Sequence, residues 1–137
     1  MTKEEKDLVV KDLCGRLPYG VMLKHISTEK PFKLFSIKRD EYASYKKDGV
    51  ELAVNGIYYD WYVNDIYHDI ELYIKPYLRP LSSMTDEERE EYNQEMYGVA
   101  FFTDPISQMD WLNKNMFDYR GLISKGLALE AKEGMYN

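Results

Sequence analysis

The chain has 137 residues, 45% hydrophobic and 15% aromatic, with 24 acidic against 18 basic side chains and a net charge of −6. That length fits one domain, 1–137, with a real core, and the apolar content argues against a disordered chain. The acidic balance argues against sequence-independent binding of DNA or RNA, no apolar run approaches the roughly 20 residues of a bilayer span, and the single cysteine, Cys14, excludes an internal disulfide.

Residues 2–14 predict a helix. Thr2 and Glu5 have the spacing of a capping box, Val9, Val10, Leu13 and Cys14 form the apolar face, and Gly15 is expected to end the helix. Cys14 reads as a small buried hydrophobe more readily than as a nucleophile. The turn LPYG follows, then a strand over 20–27 and a partner over 32–38, joined by the loop STEKP. His25 on the first of these strands reads as a structural hydrogen-bonder. Residues 39–49 are polar and loop-like.

Residues 51–63 give the clearest hairpin signal. ELAV and IYYDWYV flank Asn55-Gly56, a pair that tolerates the positive φ of a type I′ turn. On the second of these strands Tyr58, Asp60 and Tyr62 share a face. That face suits a flat ligand or a protein partner, or else cross-strand pairing that only stabilises the sheet. A short strand is expected over 70–74. Residues 75–84, KPYLRPLSSM, read as a crossing stiffened by Pro76 and Pro80. There Arg79 beside Tyr77 suits a clamp on a phosphate or carboxylate, with an internal ion pair to one of the many acids as the alternative.

A second helix is expected over 85–96, opened by a Thr85–Glu88 capping box and carrying a thin apolar face at Tyr92 and Met96. YGVAFF, 97–102, reads as the last strand. Asp104-Pro105 then starts a third helix, with Ile106, Met109, Leu112 and Met116 as its buried stripe. The run 104–131 is expected to organise the fold, with Trp111 and Phe117 buried and Leu122, Ile123, Leu127 and Leu129 adding core area. The tail KEGMYN is expected to be loosely held. The order of elements gives an α+β domain. Its sheet is bent and mostly antiparallel, or a small open barrel, of about five or six strands with about three helices.

KPYLRPLSSMTDEEREEY at 75–92 and DWLNKNMFDYRGLISKGLALEAKEGMY at 110–136 together span about a third of the chain. In order and spacing they resemble a family of small proteins from phages and mobile elements of gut anaerobic bacteria, and the opening 1–21 is similar to it as well. The middle, 24–74, departs from the family, so a binding specificity there could be the chain's own. The resemblance carries no catalytic or ligand residues with it. It implies a setting: an accessory phage-type protein inside a bacterial host cell, where counter-defence fits. The opening MTKEEKDLVV has no signal-peptide form, which agrees with a cytoplasmic location.

No phosphate-binding glycine loop, no His/Asp/Ser constellation, no metal-ligand cluster and no dinucleotide fingerprint stands in the sequence. Asp60, Asp65, Asp69 and Glu71 could pair carboxylates in one region, a weak signal in an acidic chain. No catalytic residue, metal or cofactor is therefore assigned. Two binding roles remain. One is engagement of a host protein through the Tyr-rich hairpin and the acidic helix. The other is sequestration of an anionic, nucleotide-like small molecule, for which Tyr58, Tyr62, Tyr77, Arg79 and Arg120 are suited by stacking and guanidinium chemistry. A homo-oligomer is compatible with both.

Overall fold

The computed structural model describes residues 2–25, 30–39, 50–54, 74–97 and 105–136. Helix α1 (Lys3–Arg16) opens with the expected capping box: Thr2 Oγ1 accepts from the Glu5 N–H at 3.1 Å, and Glu5 Oε2 accepts from the Thr2 N–H at 2.8 Å. The helix does not stop at Gly15. It continues to Arg16, tightens into a 3-10 turn at Leu17–Tyr19, and ends at Gly20, whose φ of 76° is left-handed. Gly15 has another use. A Cβ there would lie 3.2 Å from the Asn113 side chain, so the missing methyl admits that side chain close to the helix. The buried face of α1 is Val9, Asp12, Leu13 and Arg16. Cys14 falls on the next face round and is exposed, correcting its reading as a buried hydrophobe.

Strands β1 (Met22–His25), β2 (Phe32–Arg39), β3 (Val50–Val54), β4 (Ile74–Leu78) and the two-residue β5 (Leu129–Glu130) lie in the order β3-β2-β1-β4-β5. The pairs β1·β2, β1·β4 and β2·β3 are antiparallel, while β4·β5 is parallel. The α+β class holds, with an open, mixed sheet. Among the described residues four strands have real length, slightly fewer than the five or six expected of the chain. The stiff crossing begins differently from its sequence reading, because Ile74–Leu78 is a strand with Pro76 inside it. Pro76 stands opposite Leu23 of β1, and on the other side β5 pairs only with Tyr77 and Leu78. A residue without an N–H is tolerated where no ladder bond is required of it. The second half of the 51–63 hairpin, its Asn55-Gly56 turn and the strand expected over 97–102 lie outside the described residues, apart from Tyr97, which ends a helix.

Helix α2 (Asp86–Tyr97) starts from Thr85, and helix α3 (Pro105–Lys114) starts on its proline as predicted. In α3 only the C-terminal end is buried. Trp111 and Leu112 are 7% and 6% exposed, but Ile106 and Met109 are 73% and 41% exposed, so the expected stripe is buried only in its second half. The helix ends in a Schellman arrangement. Phe117 N–H donates to Leu112 C=O at 3.0 Å, Met116 N–H donates to Asn113 C=O at 3.1 Å, and Met116 takes the left-handed position with φ 62°. A glycine is usual there. Met116 is found because its side chain is fully buried in the core.

Phe117 then crosses back to β4. Arg79 N–H donates to Met116 C=O at 2.7 Å, and Asp118 N–H donates to Arg79 C=O at 2.8 Å. The Asp118 carboxylate accepts from the N–H groups of Leu122 and Ile123 at 2.8 and 2.9 Å, which folds the next segment into turns. Leu122, Leu127 and Ala128 from those turns join Val9, Leu13, Val21, Leu23, Leu34, Ile74, Leu78 and Met116 in the main core. A second cluster, Trp111, Leu112 and Phe117, receives Met84, Tyr92 and Tyr119 and ties α2 to α3. The Tyr92 ring lies 5.3 Å from Trp111, and Gln108 Nε2 donates to Tyr92 Oη. The tail, expected to be loose, is held: Tyr136 Oη accepts from Met22 N–H at 2.8 Å and donates to Tyr77 C=O at 2.7 Å. Among the described residues no helix is long and apolar enough to cross a membrane.

Truncating Trp111→Ala should lower the unfolding free energy by about 3–5 kcal/mol in a denaturant titration, and a variant matching wild type would contradict this packing. Met116→Gly should destabilise by about 1–3 kcal/mol, because relief of the left-handed backbone is worth only ~1 kcal/mol and the buried thioether side chain is worth more. A glycine variant more stable than wild type would show that the backbone strain outweighs the burial.

Candidate functional site

Arg79 is the first residue after β4, and Pro80 turns the chain away from the sheet into a 3-10 turn at Leu81–Ser83. Thr85 then caps α2, accepting the Glu88 N–H at 3.1 Å, while Glu88 Oε1 accepts the Thr85 N–H at 3.1 Å. The same carboxylate takes the Arg79 guanidinium in a bidentate grip, Nη1 to Oε2 and Nη2 to Oε1, both at 2.7 Å. Arg79 also lies over the Phe117 ring, 4.3 Å from its centroid, and Phe117 stacks on Trp111 at 5.6 Å. One capping residue thus fixes a helix start, a guanidinium and an aromatic stack. The Arg79 hydrogen bonds hold the Glu88 carboxyl at about 2, against an ordinary 4.5; burial opposes them, and the Thr85 N–H adds to them.

This wall faces the C-terminal turn across an open cleft of about 440 Å³. Arg79, Pro80, Ser83, Thr85 and Glu88 line one side, and Ala131, Lys132, Glu133, Gly134 and Tyr136 line the other. The cations Arg79 and Lys132 are matched by the anions Glu88 and Glu133, so the cleft is charge-balanced. Tyr136 fixes the far wall through its two hydrogen bonds to β1 and β4. Its burial pushes the phenol up to about 12 from 10, against the opposing effect of the Met22 N–H.

A second polar group sits on the inner side of Phe117. Arg16 and Asp12, both fully buried, pair through Arg16 Nε to Asp12 Oδ2 at 2.8 Å and Arg16 Nη2 to Asp12 Oδ1 at 3.1 Å. Arg16 Nη2 also donates to the Phe117 carbonyl at 2.7 Å. Arg120 Nε approaches Asp12 Oδ1 at 3.3 Å. The Tyr119 ring meets both guanidiniums, 5.1 Å from Arg16 and 5.0 Å from Arg120, and its hydroxyl donates to Asn113 Oδ1 at 2.8 Å.

Of the five residues singled out in the sequence, Tyr58 and Tyr62 lie outside the described residues. Tyr77 is buried, 5% exposed, with its backbone carbonyl taken by Tyr136 and the Lys132 ammonium 6.0 Å from its ring. Arg79 lines the cleft but is ion-paired inside the fold, the alternative its sequence context also allowed. Arg120 lies in the Asp12 group, and nothing in the described structure brings it together with Tyr77. Sequence reading placed Glu88 only as a cap and Tyr136 only in a loose tail. The Glu88 role had a signal, since a capping-box Glu nine residues from an Arg across a proline turn is within reach of it; Tyr136 had none. Cys14 is exposed, but partial burial pushes its thiol above its ordinary value, away from the reactive thiolate. Among the described residues no three His, Cys, Asp or Glu side chains converge as a metal site would require. His25 and His68, and the acids at 60, 65, 69 and 71, contribute no described side chain. Comparison with family models, with curated proteins and with solved structures finds no match.

Glu88 titrates lower in the folded chain than in the unfolded one, so its contribution is full above pH 4.5 and is lost as pH falls toward 2. Glu88→Gln should therefore be less stable than wild type by about 1–2 kcal/mol at pH 7, with the gap closing toward pH 2. A gap independent of pH would show that the ion pair is not its source. Tyr136 titrates higher when folded, so its contribution is full below pH 10 and is lost as pH rises toward 12. Thermal melts across that range should show wild type losing its advantage over Tyr136→Phe, and parallel curves would contradict the buried hydroxyl.

Proposed function

We propose that this chain is a non-enzymatic, phage-type binding protein that engages a host protein inside the bacterial cell, and that the Arg79 cleft is part of the surface it uses. The observation that carries this reading is the cleft's rigid, charge-balanced wall: a bidentate Arg79–Glu88 pair backed by Phe117 and Trp111, facing Lys132 and Glu133. Side chains already fixed in place lose little entropy on binding, and an even mix of charges suits a protein surface, which carries both signs. A nucleotide-like anion is less well served. It would compete with Glu88 for Arg79, and breaking a bidentate pair is unfavourable unless the ligand replaces both bonds. The resemblance of 75–92 and 110–136 to phage and mobile-element proteins fits the same reading, because those two segments build both walls of the cleft. In that setting the host partner would belong to a defence system, and the location would be the host cytoplasm.

The test is capture from a bacterial lysate with wild type and with Ser83→Trp, which fills the cleft from an exposed position. The captured protein should form a stoichiometric complex with wild type. Ser83→Trp, at unchanged melting temperature, should weaken that complex by about 2 kcal/mol or more, the scale of an interface hot spot. Equal binding by both would remove the cleft from the interface. Heat release of a stoichiometric ultraviolet-absorbing small molecule would favour the anion-sequestering reading instead.

A further inference from the structure

The group around Asp12 is short of acceptors. Two guanidiniums, Arg16 and Arg120, share one carboxylate, and Arg16 already takes both of its oxygens. Arg16 also has the Phe117 carbonyl, yet its Nη1, fully buried, finds no hydrogen-bond partner, and Arg120 Nε is buried without one at hydrogen-bond geometry. Among the described residues Arg120 has Asp12 as its ion-pair partner and shares it with the buried Arg16, and the Arg120 side chain is 24% exposed.

Arg120 is not an ordinary surface arginine. Its inner edge is set by the Asp12 contact through Nε, and its charge lies over the Tyr119 ring. That ring is in turn fixed by its hydroxyl on Asn113 and by Arg16. Among the described residues the Nη1 and Nη2 groups of Arg120 have no hydrogen bond, and neither is a buried atom. Among the described residues the outer fork of the guanidinium is therefore left open to a further partner. A fork of that shape matches two oxygens of a planar carboxylate or a phosphate.

We infer that Arg120, positioned by Asp12 and Tyr119, is a binding site for a single oxyanion, a carboxylate or a phosphate group, presented at the protein surface. The inference stands apart from the Arg79 cleft: it rests on the contacts of another group of residues and survives if the cleft proves empty of function. The net charge of −6 limits the site to an isolated oxyanion, since a polyanion would be repelled by the rest of the surface.

The test is nuclear magnetic resonance of the arginine Nε–H and tyrosine ring signals during titration with sodium acetate and, separately, sodium phosphate. Ionic strength is held constant with sodium chloride, which also serves as the reference. The Arg120 Nε–H and the Tyr119 ring should shift to saturation with at least one oxyanion. Tighter binding of acetate would point to a partner's carboxylate side chain, and tighter binding of phosphate to a phosphoryl group. Arg120→Lys keeps the charge and loses the fork. Read on Tyr119, it should bind roughly tenfold more weakly, as expected when a charged hydrogen bond is removed. Arg120→Gln should not saturate. Shifts that never saturate, shifts equal to those in chloride, or an Arg120→Lys titration that overlays wild type would each overturn the site.

Discussion

The hydrogen bond from Arg16 to the Phe117 carbonyl joins residues 101 apart in the sequence, and the rest of the described structure depends on it. A guanidinium with no exposed surface is tolerated only when its charge is paired and most of its donors are used. Asp12, one helical turn earlier, supplies the charge, and Phe117 supplies the acceptor that no residue of α1 could. Arg16 therefore determines where the C-terminal run must lie. Once Phe117 is fixed by its carbonyl, its ring is presented to Arg79 and Trp111, and its neighbours Met116 and Asp118 pair with the Arg79 backbone. Helix α1, strand β4 and helix α3 meet at this one residue.

The same arrangement explains why a chain with many charges shows little obvious chemistry. Arg16 and Arg79 grip Phe117 from its carbonyl and its ring, and each is matched by a carboxylate, Asp12 or Glu88. Their pairing is architectural first. What the architecture leaves at the surface is an open cleft beside Arg79 and the partly exposed guanidinium of Arg120.

Much of this was legible in the sequence where the signal is local. Both capping boxes, Pro105 at a helix start, the antiparallel β1·β2 pair and the burial of Trp111 and Phe117 follow from short-range patterns. What could not be read depends on distant partners. Gly15 has the form of a helix stop, and only Asn113 on another helix shows its use in close packing. Asp12 and Arg16 look like a solvated pair one turn apart, and nothing nearby in sequence announces the Phe117 carbonyl that makes their burial tolerable. Tyr136 follows Gly134-Met135 near the end of a polar tail, yet it bonds two strands through backbone groups that carry no side-chain signature. Ile106 and Met109 kept helical spacing, but spacing gives the direction of a face and not how far the core extends along it. The candidate site divided in the same way: Arg79 was legible as a guanidinium on a proline-stiffened crossing, whereas its partner choice between ligand and Glu88 was set by the cap of the following helix.

The most direct measurement of the central claim is the stability of Asp12→Asn by chemical denaturation. The substitution keeps the size of the side chain and removes the charge that balances Arg16. If Arg16 and Phe117 organise the fold, it should lose about 3–5 kcal/mol, the scale for leaving one member of a buried ion pair uncompensated. The amides of Leu122 and Leu127, which lie in the turns after Phe117, should also lose protection from hydrogen exchange. A loss below about 1 kcal/mol, the range of an exposed pair, with those amides still protected, would show that the C-terminal run is held by its apolar contacts alone.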